Sequence, residues 1–156
     1  MVWGKRPFWT AVRLLLLIVS CLIAFKFVLC PIRVSGISME PTFLDGQVGV
    51  INLLSYHGQE PVRGDIIAFR QAADPRIFIK RVIGLPGERI AFHGGVVSIN
   101  GDSLDEPYLT SLGTGEWPEE TLGDHVYFVT GDNRTVSQQF RVRRGEILGK
   151  VHIWRH

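Results

Sequence analysis

Lys80 stands in the run Ile77-Phe78-Ile79-Lys80-Arg81-Val82-Ile83, a cation inside a stretch otherwise built for a strand. Alternation puts Phe78, Lys80 and Val82 on one face and Ile77, Ile79, Arg81 and Ile83 on the other, so Lys80 has apolar neighbours. A free lysine titrates near 10.4 and is a poor base at neutral pH. Loss of water around it disfavours the ammonium and lowers that value by up to several units. A neutral Lys80 amine could then take the proton of a serine hydroxyl and arm it for attack on a carbonyl. Two segments supply serines in unusual surroundings: Ser35 to Gln47 (SGISMEPTFLDGQ), with Ser38 ahead of Pro41, and Val129 to Arg141 (VTGDNRTVSQQFR), with Ser137. On the strand pattern alone a lysine snorkelling to solvent is the simpler reading, as is a turn serine for Ser38.

Other chemistries find less support. His57, His93, His125, His152 and His156 are scattered, and the i, i+4 pair His152/His156 lies in a segment that reads as a strand rather than a helix, so no metal site is expected. No Gly-rich loop follows a strand and opens a helix, so nucleotide binding has no support. No cofactor is expected.

The elements that must position Ser38 and Lys80 fall into two parts. Phe8 to Cys30 is an apolar run interrupted only by Arg13 and Lys26 near its ends. As a helix it would measure roughly 35 Å, enough for a bilayer core of about 30 Å, with both cations reaching outward to the interfaces. Trp3, Phe8 and Trp9 add aromatic anchoring. A cleavable secretory signal and a buried core helix are the competing readings of this run. Beyond Pro31, β-rich stretches alternate with turn signals: Gln47 to Leu53, Asp65 to Arg70, Arg76 to Ile83, Arg89 to Phe92, Val96 to Ile99, His125 to Thr130 and Ile147 to Trp154. Asp45-Gly46, Gly94-Gly95 and Asn100-Gly101 read as turns. Residues Glu106 to Asp124 read as a long loop or extended excursion. The expectation is an all-β dominated body, 34–156, behind a segment 1–33 that carries a cytoplasmic stub and one transmembrane helix.

Composition agrees. The 156 residues carry a formal charge of +2, and 46% hydrophobic with 21% charged content excludes a disordered chain. Lys5, Arg6, Arg13, Lys26 and Arg33 place five positive charges in the first 33 residues, leaving 12 basic and 15 acidic side chains, a balance of −3, in the body. That distribution argues against nucleic acid and for anionic lipid around an anchor, with a slight bias towards a cytoplasmic N-terminus. The two cysteines, Cys21 and Cys30, lie in the apolar run, so the body has no disulfide framework.

Taken together, the segments resemble bacterial type I signal peptidases, membrane-anchored Ser-Lys endopeptidases that remove signal peptides from exported proteins. Ser38-Met39-Glu40-Pro41-Thr42 matches the nucleophile motif S-M-x-P-T, and Arg63-Gly64-Asp65-Ile66 matches R-G-D-I. Lys80-Arg81-Val82-Ile83-Gly84-Leu85-Pro86-Gly87-Glu88 matches K-R-V-x-G-L-P-G-D/E, and Gly131-Asp132-Asn133-Arg134 with Ser137 matches G-D-N-R-x-x-S. The resemblance implies Ser38 as nucleophile, Lys80 as general base and Ser137 orienting the lysine. It further implies an Arg81–Asp132 pair and the Ser38 N–H as an oxyanion donor. A serine that some members carry two residues before the nucleophile is Gly36 here. It implies a complex, barrel-like β fold, preprotein signal peptides cut after small-x-small sites as substrates, and a bilayer with the translocation machinery nearby as partners. The location implied is a bacterial inner membrane, single-pass, with the N-terminus cytoplasmic and the catalytic body outside.

The chain departs from the usual S-x-D-S-R by reading Ser137-Gln138-Gln139-Phe140-Arg141, an amide in place of the carboxylate expected to pair with Arg141. A specialised peptidase for a narrow substrate set, such as a conjugative pilin, and a non-catalytic membrane-tethered peptide-binding β-module are the alternatives. A soluble Ser-Lys self-cleaving regulator would need a DNA-binding domain where the anchor stands. Ile37, Met39 and Phe43, around Ser38, are expected to dip into lipid.

Overall fold

A computed structural model describes residues 7–153. Trp3, Lys5, Arg6, Trp154 and His156, named above, lie outside the described residues.

The apolar run forms one helix, α1 (Pro7–Val28), with no glycine and no internal proline to break it. Cys30 precedes Pro31, whose ring disfavours helical backbone in the residue before it, and the chain goes extended at Leu29. None of the spanning window is buried against the body, and Leu14 to Leu17, Leu22, Phe25 and Phe27 stand exposed. A core helix would be covered by protein; this one is not.

Strand β1 (Leu29–Arg33) follows the helix without a linker and pairs antiparallel with β2 (Val48–Asn52). The remaining strands are β3 (Ile66–Phe69), β4 (Phe78–Gly84), β5 (Arg89–His93), β6 (Val96–Ile99), β7 (Asp102–Ser103), β8 (Trp117–Thr121), β9 (Val126–Thr130), β10 (Phe140–Arg143) and β11 (Ile147–Ile153). They form a seven-stranded sheet, β1-β2-β11-β3-β4-β9-β10, and a four-stranded sheet, β7-β6-β5-β8, with antiparallel pairing throughout. The β-dominated body is therefore as expected. Asn100 and Gly101 both take positive φ, 56° and 98°, the backbone that a tight hairpin turn requires. Four strands were not anticipated: β1, hidden in the end of the apolar run; β7, two residues just after the Asn100-Gly101 turn; β8, inside the stretch read as a loop or extended excursion; and β10, which begins at the departing Phe140.

Three apolar clusters hold the body together, one on each face of the large sheet and one under the small sheet. The expectation for Met39 and Phe43 is corrected here. They are 2% and 7% exposed and belong to the cluster with Val34, Ile51, Ala68 and Val151, because the turn that carries Ser38 must be nailed to the sheet. Within residues 35–47, Ile37, 48% exposed, and Leu44, 50% exposed, are the large apolar side chains left facing out.

Candidate active site

Ser38 sits in a turn leaving β1. Val34 and Gln47 close its base through Val34 N–H to Gln47 C=O (2.8 Å) and Gly46 N–H to Val34 C=O (2.9 Å). Gly36, at φ 95°, gives its N–H to Asp45 Oδ1 (2.7 Å), and Phe43 N–H reaches Met39 C=O (2.9 Å). With Val34 buried before it and Met39 and Phe43 buried after it, Ser38 is held between two anchored ends.

Lys80 comes from β4, opposite Ile67 of β3, and is 5% exposed. Its Nζ lies 2.6 Å from Ser38 Oγ, in a hydrogen bond between residues 42 apart in sequence. Burial pushes the Lys80 ammonium down to about 8, partly opposed by the Asp132 carboxylate. At pH 7 roughly one molecule in ten then carries a neutral amine, so Lys80 is not uncharged at rest but is within easy reach of it. An amine at this distance accepts the hydroxyl proton directly.

The turn after β9 clamps both residues. Asn133 donates from its backbone N–H to Ser38 C=O (3.1 Å) and from Nδ2 to Ile37 C=O (3.2 Å). Gly131 is obligatory: a Cβ there would meet Ser38 C=O at 2.1 Å and Ser137 Oγ at 2.6 Å. Asp132, 1% exposed, accepts Arg81 Nε (2.8 Å), Arg81 Nη2 (2.6 Å) and the Thr42 hydroxyl. One carboxylate thus ties the Ser38 turn, through Thr42, to the Lys80 strand, through Arg81.

Ser137 is buried beside this turn, but its hydroxyl is occupied elsewhere. It accepts Gly131 N–H (2.6 Å), donates to Gln138 C=O (3.1 Å) and lies 3.4 Å from Thr130 Oγ1. Among the described residues Lys80 has Ser38 as its hydrogen-bond partner, and Ser137 reaches the dyad through Gly131 rather than by touching the amine.

Sequence reasoning missed Glu106 and Tyr108. Arg134 is 3% exposed and pairs in a fork with Glu106 (2.9 and 2.5 Å). Tyr108 donates its hydroxyl to Glu106, and the Arg81 guanidinium lies 4.0 Å over the Tyr108 ring. A buried arginine demands a carboxylate, but several acids between Asp102 and Asp124 compete for the role in sequence.

Arg141 is not left alone by the loss of the carboxylate at Gln139. Glu120 of β8 takes the pair (3.1 Å), and the guanidinium stacks 5.3 Å from the Trp117 ring. The Arg141 side chain is 59% exposed, so such a pair contributes at most about 1 kcal/mol. Gln139→Asp should therefore change peptide cleavage by less than about twofold and thermal stability by no more than about 4 °C, read by initial rates and a melting curve.

An open cleft of about 290 Å³ runs past Ser38 and Lys80, walled by Ile32 to Gly36 on one side and Ile77 to Ile79 on the other. β9 pairs with β4 only from Arg81 onward, and β1 is an edge strand, so both walls present backbone that no strand among the described residues takes up on that side.

The family model and the curated relatives agree on one family. The model of a family described as signal peptidase, peptidase S26, matches residues 8–154. A signal peptidase I from Leptolyngbya laminosa is 38% identical over 131 residues, 75% of this chain and 64% of that protein. The signal peptidase I V of Bacillus subtilis (strain 168) is 32% identical over 168 aligned positions, covering 94% of this chain and 97% of that protein. A solved signal peptidase I from Enterococcus faecalis V583 aligns over 59% of this chain and 97% of its own, at 31% identity and a TM-score of 0.49. The class is therefore that of serine endopeptidases. Within it, the chain belongs to the signal peptidase family, S26.

Proposed function

We propose that this chain removes signal peptides from membrane-engaged preproteins, with Ser38 as nucleophile and Lys80 as general base. The observation that carries the reading is the 2.6 Å contact between the Lys80 amine and the Ser38 hydroxyl beside a cleft with strand edges on both sides. The neutral amine takes the hydroxyl proton as Oγ attacks the scissile carbonyl. The Ser38 N–H, which has no hydrogen-bond partner among the described residues, supports the developing oxyanion. The tetrahedral intermediate collapses to an acyl-Ser38, and the leaving amine collects the proton from Lys80. Water, deprotonated by the same amine, then releases the acyl group. A non-catalytic peptide-binding module would have no use for a desolvated lysine pressed on a serine.

The substrate enters as an extended strand, its main chain satisfied by the cleft edges and its side chains sorted by pocket size. Residues 1–33 carry the cytoplasmic stub and the anchor, with β1 at its exit, and 34–156 form the extracytoplasmic peptidase. Because α1 passes into β1 without a linker, Ser38 is held close to the outer face of a bacterial inner membrane, where a signal peptide's cleavage site emerges. Exposed Ile37 and Leu44 suit that interface.

The full chain in detergent micelles should cut a peptide with an Ala-x-Ala site directly after the second alanine, as read by mass spectrometry. Phenylalanine in place of that alanine should lower kcat/KM by at least about 100-fold, the discrimination that the small-x-small assignment requires. Equal cutting of both peptides would remove the small-x-small assignment.

A further inference from the structure

The departing residue Phe140 has a place in the site. β10 alternates, with Phe140 and Val142 turned to the apolar cluster and Arg141 and Arg143 outward. The Phe140 ring lies 5.2 Å from Phe78 and 5.5 Å from Phe69, and Phe69 stacks on Phe78 at 5.7 Å. Phe78 and Phe69 are directly opposed across β4 and β3, and the next pair on the same face is Lys80 with Ile67. Phe78 also lines the cleft beside Ser38. A three-ring stack therefore borders the lysine on the side where β9 has stopped pairing with β4.

We infer that Phe140 is a positioning residue: acting through Phe78, it closes the apolar wall that keeps water from Lys80. The inference rests on the reading of Ser38 and Lys80 as the reacting pair. A serine at this position, the residue that the resemblance would supply, leaves Phe78 unsupported beside the cleft and lets water in along β4. The charged groups on the surrounding elements cannot replace the effect. Asp132 favours the ammonium, while Arg81 and Arg134 are each tied to a carboxylate. Arg33 in the facing cleft wall donates to Gly46 C=O, Glu40 on the Ser38 turn is acidic, Arg76 lies over the Phe78 ring, and β3 offers only Ile66, Ile67, Ala68 and Phe69.

The test is the pH dependence of kcat/KM for an Ala-x-Ala peptide between pH 6 and 10, which reports the free enzyme's base. The parent should rise through about pH 8. Phe140→Ser should shift that rise upward by about one unit, giving about tenfold lower activity at pH 7 and activity within about twofold of the parent at pH 10. Phe140→Leu, which keeps a smaller apolar contact, should shift it partway. A Phe140→Ser profile that superimposes on the parent's, or falls by one factor at all pH values, overturns the inference. Should the serine variant lose its native near-ultraviolet circular dichroism, the leucine variant decides: an unmoved midpoint rejects the role. Cleavage that survives Ser38→Ala would instead reject the Ser-Lys reading itself, so the two failures are distinct.

Discussion

Lys80→Met should abolish peptide cleavage while making the protein more stable at neutral pH. Methionine fills the space of the lysine stem without a titrating group, so the Ser38 hydroxyl keeps its place but loses its proton acceptor. Removal of one member of a nucleophile–base pair costs on the order of 10⁴-fold or more, and members that act as a unit are not additive. Ser38→Ala, Lys80→Met and the double variant should therefore share one residual rate. The stability change has the opposite sign. The fold holds the Lys80 ammonium down from 10.5 to about 8, so below pH 8 the lysine is charged in both folded and unfolded chains and the folded state bears the whole desolvation cost. That cost is about 3 kcal/mol, less about 1 kcal/mol for the hydrogen bond to Ser38. Between pH 8 and 10.5 the folded protein has shed the proton and the unfolded chain has not, so wild-type stability rises with pH across this window. Above it the advantage of methionine has vanished. Melting curves at pH 7 and pH 10.5 read the difference directly, with several degrees in favour of Lys80→Met at the lower pH and none at the higher. Equal melting temperatures at pH 7 would mean that the lysine is better solvated than its 5% exposure implies.

The parts of this design that were legible in sequence are those governed by local rules. A run of apolar residues long enough to span a bilayer, a period-2 alternation around Lys80 and an Asn-Gly turn each declare themselves within a few residues. What stayed hidden depends on contacts between distant segments. β1 was invisible because its apolar residues, Leu29, Cys30 and Ile32, continue the composition of the helix; only the proline at 31 and the pairing with β2 end it. Met39 looked like a lipid-facing side chain because nothing near it in sequence reveals that it docks on Ile51 and Val151. Glu106 could not be singled out among its acidic neighbours until Arg134 was placed. The carboxylate missing at 139 was supplied by Glu120, on a strand nineteen positions upstream, a substitution in space that no reading of the motif alone can find.

The largest structural effect is expected at Asp132, which is fully buried and holds three segments at once. Its partners Arg81 and Thr42 sit next to Lys80 in β4 and in the Ser38 turn, so the carboxylate sets the distance between base and nucleophile without touching either. Asp132→Ala leaves the Arg81 guanidinium, 12% exposed, without its counter-charge, and breaking a buried pair from one side costs about 3–5 kcal/mol. A misplacement of about 1 Å between Ser38 and Lys80 then lowers cleavage by about 100-fold or more at the optimum pH. The pH dependence separates this from loss of the base itself. Asp132 favours the Lys80 ammonium, so its removal lowers the lysine further and moves the acid limb of kcat/KM below pH 8. The deficit relative to wild type should consequently be smaller at pH 6.5 than at pH 9, the reverse of the pattern for a wetter lysine. Adding Arg81→Met removes the orphaned charge, since apolar replacement of both partners of a buried pair is often neutral, and should recover most of the melting temperature. It should not recover activity, because no carboxylate then links Thr42 to β4. A double variant that regained cleavage along with stability would show that the pair serves the fold alone.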